Sequence, residues 1–364
     1  MNIKVDRKEL INVLTNMSNI IRETPVRPVL GGTKLEVSDS GIEFVGTTLE
    51  MSLKNKIDGV VTEYGSVVFK IPTVLEYIKL IEVEQIDIMS KENKLYIHNA
   101  EFSVFDSSEY PNIKEIQGNI SFDMDIMDLL DGFDKVSFSA SLQSDNLSLN
   151  CVRIESYEDK LHFLTSDNFR LSYYSYEVNV PNEFAISIPL DAVHAISKIF
   201  KSYAGNLKFT IEGSQLKIST EHLVFMTRLI DIAFPEYKAI FKNLEGNKKV
   251  EANRETFLSA LKKVYTVAKI NQETKDAALF KFQGNKLNLL SSTGRAKTSQ
   301  NIDIIKEGDD LKASLNVKFI MEFVNNIKNN VIITCTNSSS MFVFREYKND
   351  NYIYMLMPLA LRED

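Results

Sequence analysis

The stretch VEANRETFLSALKKVYTVAK, Val250 to Lys269, decides the architecture. It opens as a short extended lead, passes a capping residue, and then sets apolar residues at helical spacing. The same plan occurs twice earlier, in KVDRKELINVLTNMSNII from Lys4 and in SFDMDIMDLLDGFDKVSF from Ser121. A second helix follows each copy: FKIPTVLEYIKLI from Phe69, ISIPLDAVHAISKIF from Ile186 and ASLNVKFIMEFVNNI from Ala313. Each of these carries Pro or Asn near its start, where a helix tolerates or wants one. From Val5 to Phe69, Phe122 to Ile186 and Val250 to Ala313 the offsets are 64, 64 and 63 residues. Such regular spacing marks an internal repeat.

Between and after the helices lie alternating runs broken by turn residues, such as TKLEVSDSGIEFVGTTLEMSLKNKI and NLKFTIEGSQLKISTEHLVFMTRLID. These predict strands joined by hairpins. Each copy is therefore a strand and helix followed by a small meander, given twice, and the expected class is α+β, with two helices on one side of antiparallel sheet. SSEYPNIKEIQGN and FPEYKAIFKNLEGNK separate the copies and read as matched linkers. The expected domains are 1–119, 120–246 and 247–364, with disorder limited to loop tips and Arg362 to Asp364.

Composition narrows the class of function. With 44% hydrophobic and 25% charged residues the chain is ordinary for a globular protein, and no run reaches the length of a membrane helix. MNIKVDRKEL has no apolar core behind a basic patch, so a cytoplasmic location is expected. Cys151 and Cys335 are too few and too far apart for a disulfide framework or thiolate metal site. A net charge of −7 argues against a protein that grips nucleic acid by its whole surface, though not against a local basic one. Phosphate-cradling loops, dinucleotide fingerprints, H-E-x-x-H and C-x-x-C are all missing from the sequence. His98, His162, His194 and His222 fall on separate elements and are expected to be structural or at the surface, and Asp125, Asp128 and Asp131 read as a solvated helix face. No cofactor, metal or catalytic residue is expected.

Several motifs now fall into order along the repeat: RPVLGGTKLEV from Arg27 with GTTLEMSL, then TSDNFRLS, FPEYKAIF, LNVKFIMEFV and the terminal YIYMLMPLAL. Together they resemble the β subunit of bacterial DNA polymerase III, the sliding-clamp family, from Met1 to about Leu361. The resemblance implies three clamp domains and a head-to-tail homodimer closed into a ring around duplex DNA, with helices inside and sheets outside. It implies a processivity factor rather than an enzyme. Its partners would be the polymerase catalytic subunit, an ATP-dependent clamp loader, and repair polymerases and ligase-type factors that bind by short linear motifs.

Three sets of residues follow from that likeness. DNA-facing positions would be Arg22, Lys79, Lys198, Lys201, Lys262, Lys263, Lys269 and Lys328, point charges that read no base and so let the ring slide; a solvated helix face is the plain alternative. The dimer interface would use Phe102 and Val104 in EFSVFD against the third domain near Ile270, although Phe102 and Val104 could equally face their own core. A partner-peptide groove would be formed by Leu149, Ser166, Asn168, Phe169, Arg170, Leu171, Pro235, Ile240, Asn316, Phe319, Met355, Met357, Pro358 and Leu359. Met355 and Met357 suit a surface that repacks around different peptides, or else fill the core.

The chain departs from the family at Asn168-Phe169, where Gly-His is common, and at Ala239 and Ala360, where basic residues are frequent. Those changes put the groove's peptide preference in doubt. A phage or mobile-element clamp of the same fold, a hydrolase with a dispersed site, and a three-domain adaptor without a DNA role are the other readings.

Overall fold

In a computed structural model the chain is described throughout except at residues 144, 145, 179, 181, 243, 245, 272, 273, 275 and 361–364. The end at Arg362 to Asp364 thus lies outside the described residues. Helices form where helix-start signals and apolar spacing place them, in α1 (Arg7–Ile20), α2 (Ile71–Leu80), α3 (Ile126–Val136) and α4 (Leu190–Phe200), then, after the short α5 (Lys238–Phe241), in α6 (Arg254–Ala268) and α7 (Val317–Asn325). Asp6 starts α1 by accepting the Lys8 and Glu9 amides at 2.8 and 3.0 Å. Asn253 and Asn316 cap α6 and α7 through the Thr256 and Phe319 amides at 3.1 and 3.0 Å. Gly132 interrupts α3 at some cost in propensity, because a Cβ there would come within 2.8 Å of the Phe163 ring. The single turn α5 falls inside a stretch read as linker. It forms because Tyr237 is anchored by its side chain, donating to Glu155 at 2.9 Å, while its carbonyl accepts the Ile240 amide at 2.9 Å.

Two compact units divide the chain: Met1–Leu130, Val180–Asn182 and Ile188–Asp231 in unit one, and Asp131–Asn179, Glu183–Ser187 and Ile232–Asp364 in unit two. Each is built on one large sheet, of 13 and 12 strands respectively, with antiparallel pairing wherever the register is described. The middle copy of the repeat is shared between them. Its strand Leu223–Arg228 pairs with Met51–Ile57 of the first copy, Phe225 opposite Leu53. Its strand Arg170–Glu177 pairs with Asn349–Leu356 of the third, Ser172 opposite Tyr354. Pairing across copies satisfies backbone groups that would otherwise be left as open strand edges.

Helical periodicity does the rest. In unit one Leu10, Val13, Leu14, Met17 and Ile20 of α1 are each at most 1% exposed, packed against α2, α4 and the sheet, and each contributes about 1.5–3 kcal/mol of burial. Asn16, on the same buried face, is satisfied by Asn55 Oδ1 and Tyr203 Oη, both at 3.2 Å. In unit two α6 and α7 pack on each other over Phe257, Leu261, Phe280, Phe323, Phe344 and Tyr354.

Candidate functional site

The expected groove residues all lie in unit two, and the sheet brings most of them together. Arg170 and Leu171 sit opposite Leu356 and Met355 in register. At the turn that precedes them Asn168 has φ 73°, a left-handed conformation that asparagine tolerates better than other side chains. Ser166 Oγ donates to the Arg170 carbonyl at 2.8 Å and closes that turn. The Met357 amide donates to the Phe169 carbonyl at 2.9 Å, and the Leu359 amide to the Ser314 carbonyl at 2.8 Å. The C-terminal segment is thereby pinned at two points along its backbone. Its side chains are left uncovered, Met357 at 45% and Leu359 at 36% exposure, beside the strand turn that presents Phe169 at 63%. Pro235 and Ile240, on and before α5, are exposed as well.

Other expected members lie under this surface instead of on it. Leu171 and Met355 are buried in a satellite core with Leu164, Tyr237, Val343 and Ile353. Met355 is therefore fixed floor, and the adaptable methionine of the surface is Met357. Leu149 is buried, its amide and carbonyl bonded to Asn146 and Ser141. Asn316 is committed to capping α7.

Arg170 is the centre of the support. Its Nε donates to Asp167 Oδ2 at 2.8 Å, Nη2 to the Phe138 carbonyl at 2.6 Å and Nη1 to Glu322, and the guanidinium lies 3.7 Å from the Phe319 ring centre. A planar fork is needed to reach three acceptors and stack at once. Asp167 also takes the Phe169 and Arg170 amides, so one carboxylate shapes both the turn and the clasp. The Asp167 link could be suspected from a spacing of three residues. Glu322 could not, being 152 residues away.

A second support holds α5. Glu155 accepts from Tyr237 Oη at 2.9 Å and Arg153 Nε at 3.0 Å and meets Lys238 Nζ at 3.3 Å. Burial by itself would raise its pKa, but these partners outweigh it and hold the carboxyl below the usual range. Tyr173 stacks edge-on to Phe241 of α5 and bonds His162 Nδ1 at 2.7 Å. Because the Tyr157 carbonyl at 3.1 Å can only accept, His162 Nε2 carries the proton and Nδ1 accepts from Tyr173.

Burial lowers the His162 pKa, against the pull of the Tyr157 carbonyl. The neutral ring is thus the native form, and its contribution to stability is complete above the unfolded value of about 6.5 and is lost as pH falls below it. Thermal melts should show a lower Tm for the wild type near pH 5.5 than near pH 7.5, and His162→Gln should flatten that difference. An equal pH dependence in the variant would remove His162 from the account.

All eight expected DNA-facing residues are exposed, and among the described residues none is in an ion pair. Strand lysines behave differently: Lys4, Lys94 and Lys306 meet Asp87, Glu101 and Asp310 at 3.1, 2.5 and 2.5 Å. Just before α3, Asp125 accepts the Met127 amide at 2.7 Å, as a capping residue does, while in α3 Lys135 turns inward to the Asn326 carbonyl and the Tyr352 ring. That helix offers no outward cation. Of the expected interface residues, Phe102 is half-buried and edge-on to Tyr77 at 5.7 Å, Val104 is half-buried with its backbone opposite Phe69, and Ile270 is 54% exposed.

Comparison with known proteins agrees with this build. The chain is 26% identical to a beta sliding clamp of Buchnera aphidicola over 372 residues, covering 98% of this chain and all of that one. It is 21% identical to that of Escherichia coli, with 99% and 100% covered. Among solved structures, the DNA polymerase III beta subunit of Thermotoga maritima superposes with a TM-score of 0.93 at 22% identity, covering 99% of this chain and 100% of that one. A sliding clamp of Pseudomonas aeruginosa, solved bound to griselimycin, gives 0.93 at 20% identity with the same coverage. The N-terminal, central and C-terminal domain profiles of the DNA polymerase III beta subunit match residues 1–114, 126–236 and 243–360. Three clamp domains in sequence, on a fold shared along the whole length, place this chain in the DNA polymerase III beta-subunit family.

Proposed function

We propose that the chain, a non-catalytic sliding clamp by family, pairs head to tail with a second copy to close a ring around duplex DNA and holds the replicative polymerase there through the groove of unit two. The observation that carries this is a pairing rule left incomplete. Met51–Ile57 and Arg170–Glu177, equivalent strands of the first and second copies, each take as neighbour the last strand of another copy. The third equivalent, Lys297–Glu307, pairs with Lys286–Ser292 along 297–303 and has no such neighbour among the described residues. Among the described residues the last strand of the first copy, Ala100–Phe105, is likewise left with Lys94–Ile97 along 100–103 and only a short contact to Phe69 and Val68. Two chains joined through these edges satisfy both, and a heterologous contact of this kind closes into a ring when its rotation allows. Phe102, Val104 and Ile270 are the interface side chains of this arrangement, and the domains meet near Asn119 and Asn247.

Inside the ring the exposed cations Arg22, Lys79, Lys198, Lys201, Lys262, Lys263, Lys269 and Lys328 attract phosphate without reading sequence. With a net charge of −7 over the chain, retention is topological. Opening the ring falls to an ATP-driven loader in the cytoplasm, where the DNA is copied. Loader, replicative polymerase, repair polymerases and ligase-type factors would use the same groove in turn, each by a short linear motif.

The test is retention. Protein loaded on nicked circular plasmid with a cognate loader and ATP should survive a high-salt wash and leave when the plasmid is linearised, since screened phosphate contacts could not have held it. Loss in salt alone would mean that the lysines form an ordinary electrostatic surface and the reading fails.

A further inference from the structure

Unit one contains a second copy of the turn that supports the groove, reproduced down to its hydrogen bonds. Thr47 Oγ1 donates to the Met51 carbonyl at 2.9 Å where Ser166 Oγ donates to that of Arg170 at 2.8 Å. The Leu49 amide donates to Thr47 Oγ1 at 2.9 Å as the Asn168 amide does to Ser166 Oγ at 3.2 Å. Met51 is held by Thr48 Oγ1 as Arg170 is by Asp167 Oδ1, both at 3.1 Å, and the Arg228 amide donates to the Glu50 carbonyl as that of Met357 does to Phe169, both at 2.9 Å. Leu49 has φ 74° against 73° at Asn168.

Besides Leu49 and Met51 in the places of Asn168 and Arg170, two differences separate the copies. In unit two the sheet beside the turn is covered by Tyr237, Phe234 and Phe241 of the following segment. In unit one the counterpart of Tyr237, Tyr110, is buried with Ile113 beside Val45 and Val68, but Ser107 and Lys114 stand in the places of Phe234 and Phe241, and a cleft of about 490 Å³ remains, lined by Leu49, Met51, Ile113, Ile116 and Met226, a size ordinary for a ligand site. Its wall is built, not loose. Lys54 and Lys217 reach Glu115 at 3.1 and 3.9 Å, Lys217 also donates to the Ile116 carbonyl at 2.7 Å, and Glu212 accepts the Gln117 and Gly118 amides at 3.0 and 3.1 Å.

At the mouth, the places of Phe169 and Met357 are taken by Glu50 and Arg228, which pair at 3.7 Å in the open. Lys114, exposed on the rim, is in no ion pair among the described residues. Leucine is also a poor residue for a left-handed position, and Leu49 is 49% exposed, so neither its backbone nor its own burial accounts for it.

We infer that this cleft is a second peptide site, taking a short extended segment of a partner protein with an apolar anchor, seated against Leu49 and Met51, and an acidic flank facing Lys114 and Arg228. The inference rests on the groove reading of unit two, from which the class of occupant is taken. The rim charges make its preference different, so two partners could be held by one chain without competing.

Random displayed peptides of about a dozen residues should be selected on full-length Met357→Asp protein, and the binders titrated calorimetrically against wild type, Met357→Asp, Leu49→Asn and Lys114→Glu. Leu49→Asn carries the residue that the same turn uses in unit two, so it should fold at least as stably while losing the anchor contact. The expected result is one site per chain that persists in Met357→Asp, weakens at least 10-fold in Leu49→Asn and in Lys114→Glu, and selects an acid beside an apolar residue. Selection of no binder, or of binders indifferent to Leu49→Asn, would overturn it. So would concentration-dependent association abolished by Leu49→Asn, which would make a second copy the occupant. A polymerase-tail peptide titrated against the same variants reports separately on unit two: it should lose Met357→Asp and keep Leu49→Asn, whatever the cleft does.

Discussion

Arg170→Ala should destabilise unit two by about 3 kcal/mol, the low end of what breaking a buried ion pair costs, because Glu322 keeps 29% of its side chain in water. The guanidinium is 7% exposed and its removal strands two carboxylates, leaves the Phe138 carbonyl without its donor and empties the face of Phe319. At roughly 2–4 °C per kcal/mol for a unit of this size, thermal unfolding of unit two would show the loss clearly. Arg170→Lys should recover little of it, since a single ammonium cannot satisfy three acceptors and stack on a ring. Loss of stability should bring loss of the groove, because Asp167, released from Arg170, also shapes the turn that presents Phe169. A change under about 1 kcal/mol in Arg170→Ala would show that water replaces the clasp.

Met357→Asp should abolish binding of a peptide taken from the polymerase's own C-terminal tail, by about 100-fold or more, while the fold stays within about 0.5 kcal/mol of wild type. The asymmetry follows from how the tail is held. Backbone bonds at Met357 and Leu359 fix its course, and the side chain of Met357 contributes little to the native core at 45% exposure. A carboxylate there would have to be desolvated by any apolar ligand. Deleting residues 357–364 should have the same effect on binding and also free the Ser314 carbonyl from Leu359. Calorimetric titration showing unchanged affinity would remove Met357 from the site, and loss of the proposed self-association would move it to the proposed interface.

Much of this was legible in the residues themselves. Periodicity, Asp6, Asn253 and Asn316 as caps, and the constant offset between helices place the elements, because those signals act within a few residues of one another. Phe169, Met357 and Leu359 could be read as an uncovered apolar surface because a local motif carries them. The same reading put Met355 and Leu149 on that surface, and it could not tell them from Met357: side-chain type is the same whether a residue faces a ligand or a core, and only the packing of Tyr237 and Ile353 over Met355 decides.

What the sequence by itself determined is therefore the repeat, the α+β class, the two helices of each copy and the family. Tertiary structure alone decided the rest: that the middle copy is shared between two compact units, that Glu322 closes on Arg170 across 152 residues, and that one linker covers its sheet with aromatics while its counterpart leaves a cleft. The reason is the range of the forces involved. Helix caps and alternation are satisfied by near neighbours in the chain, whereas strand edges, buried charges and apolar faces are satisfied by whichever distant segment reaches them first with the right shape.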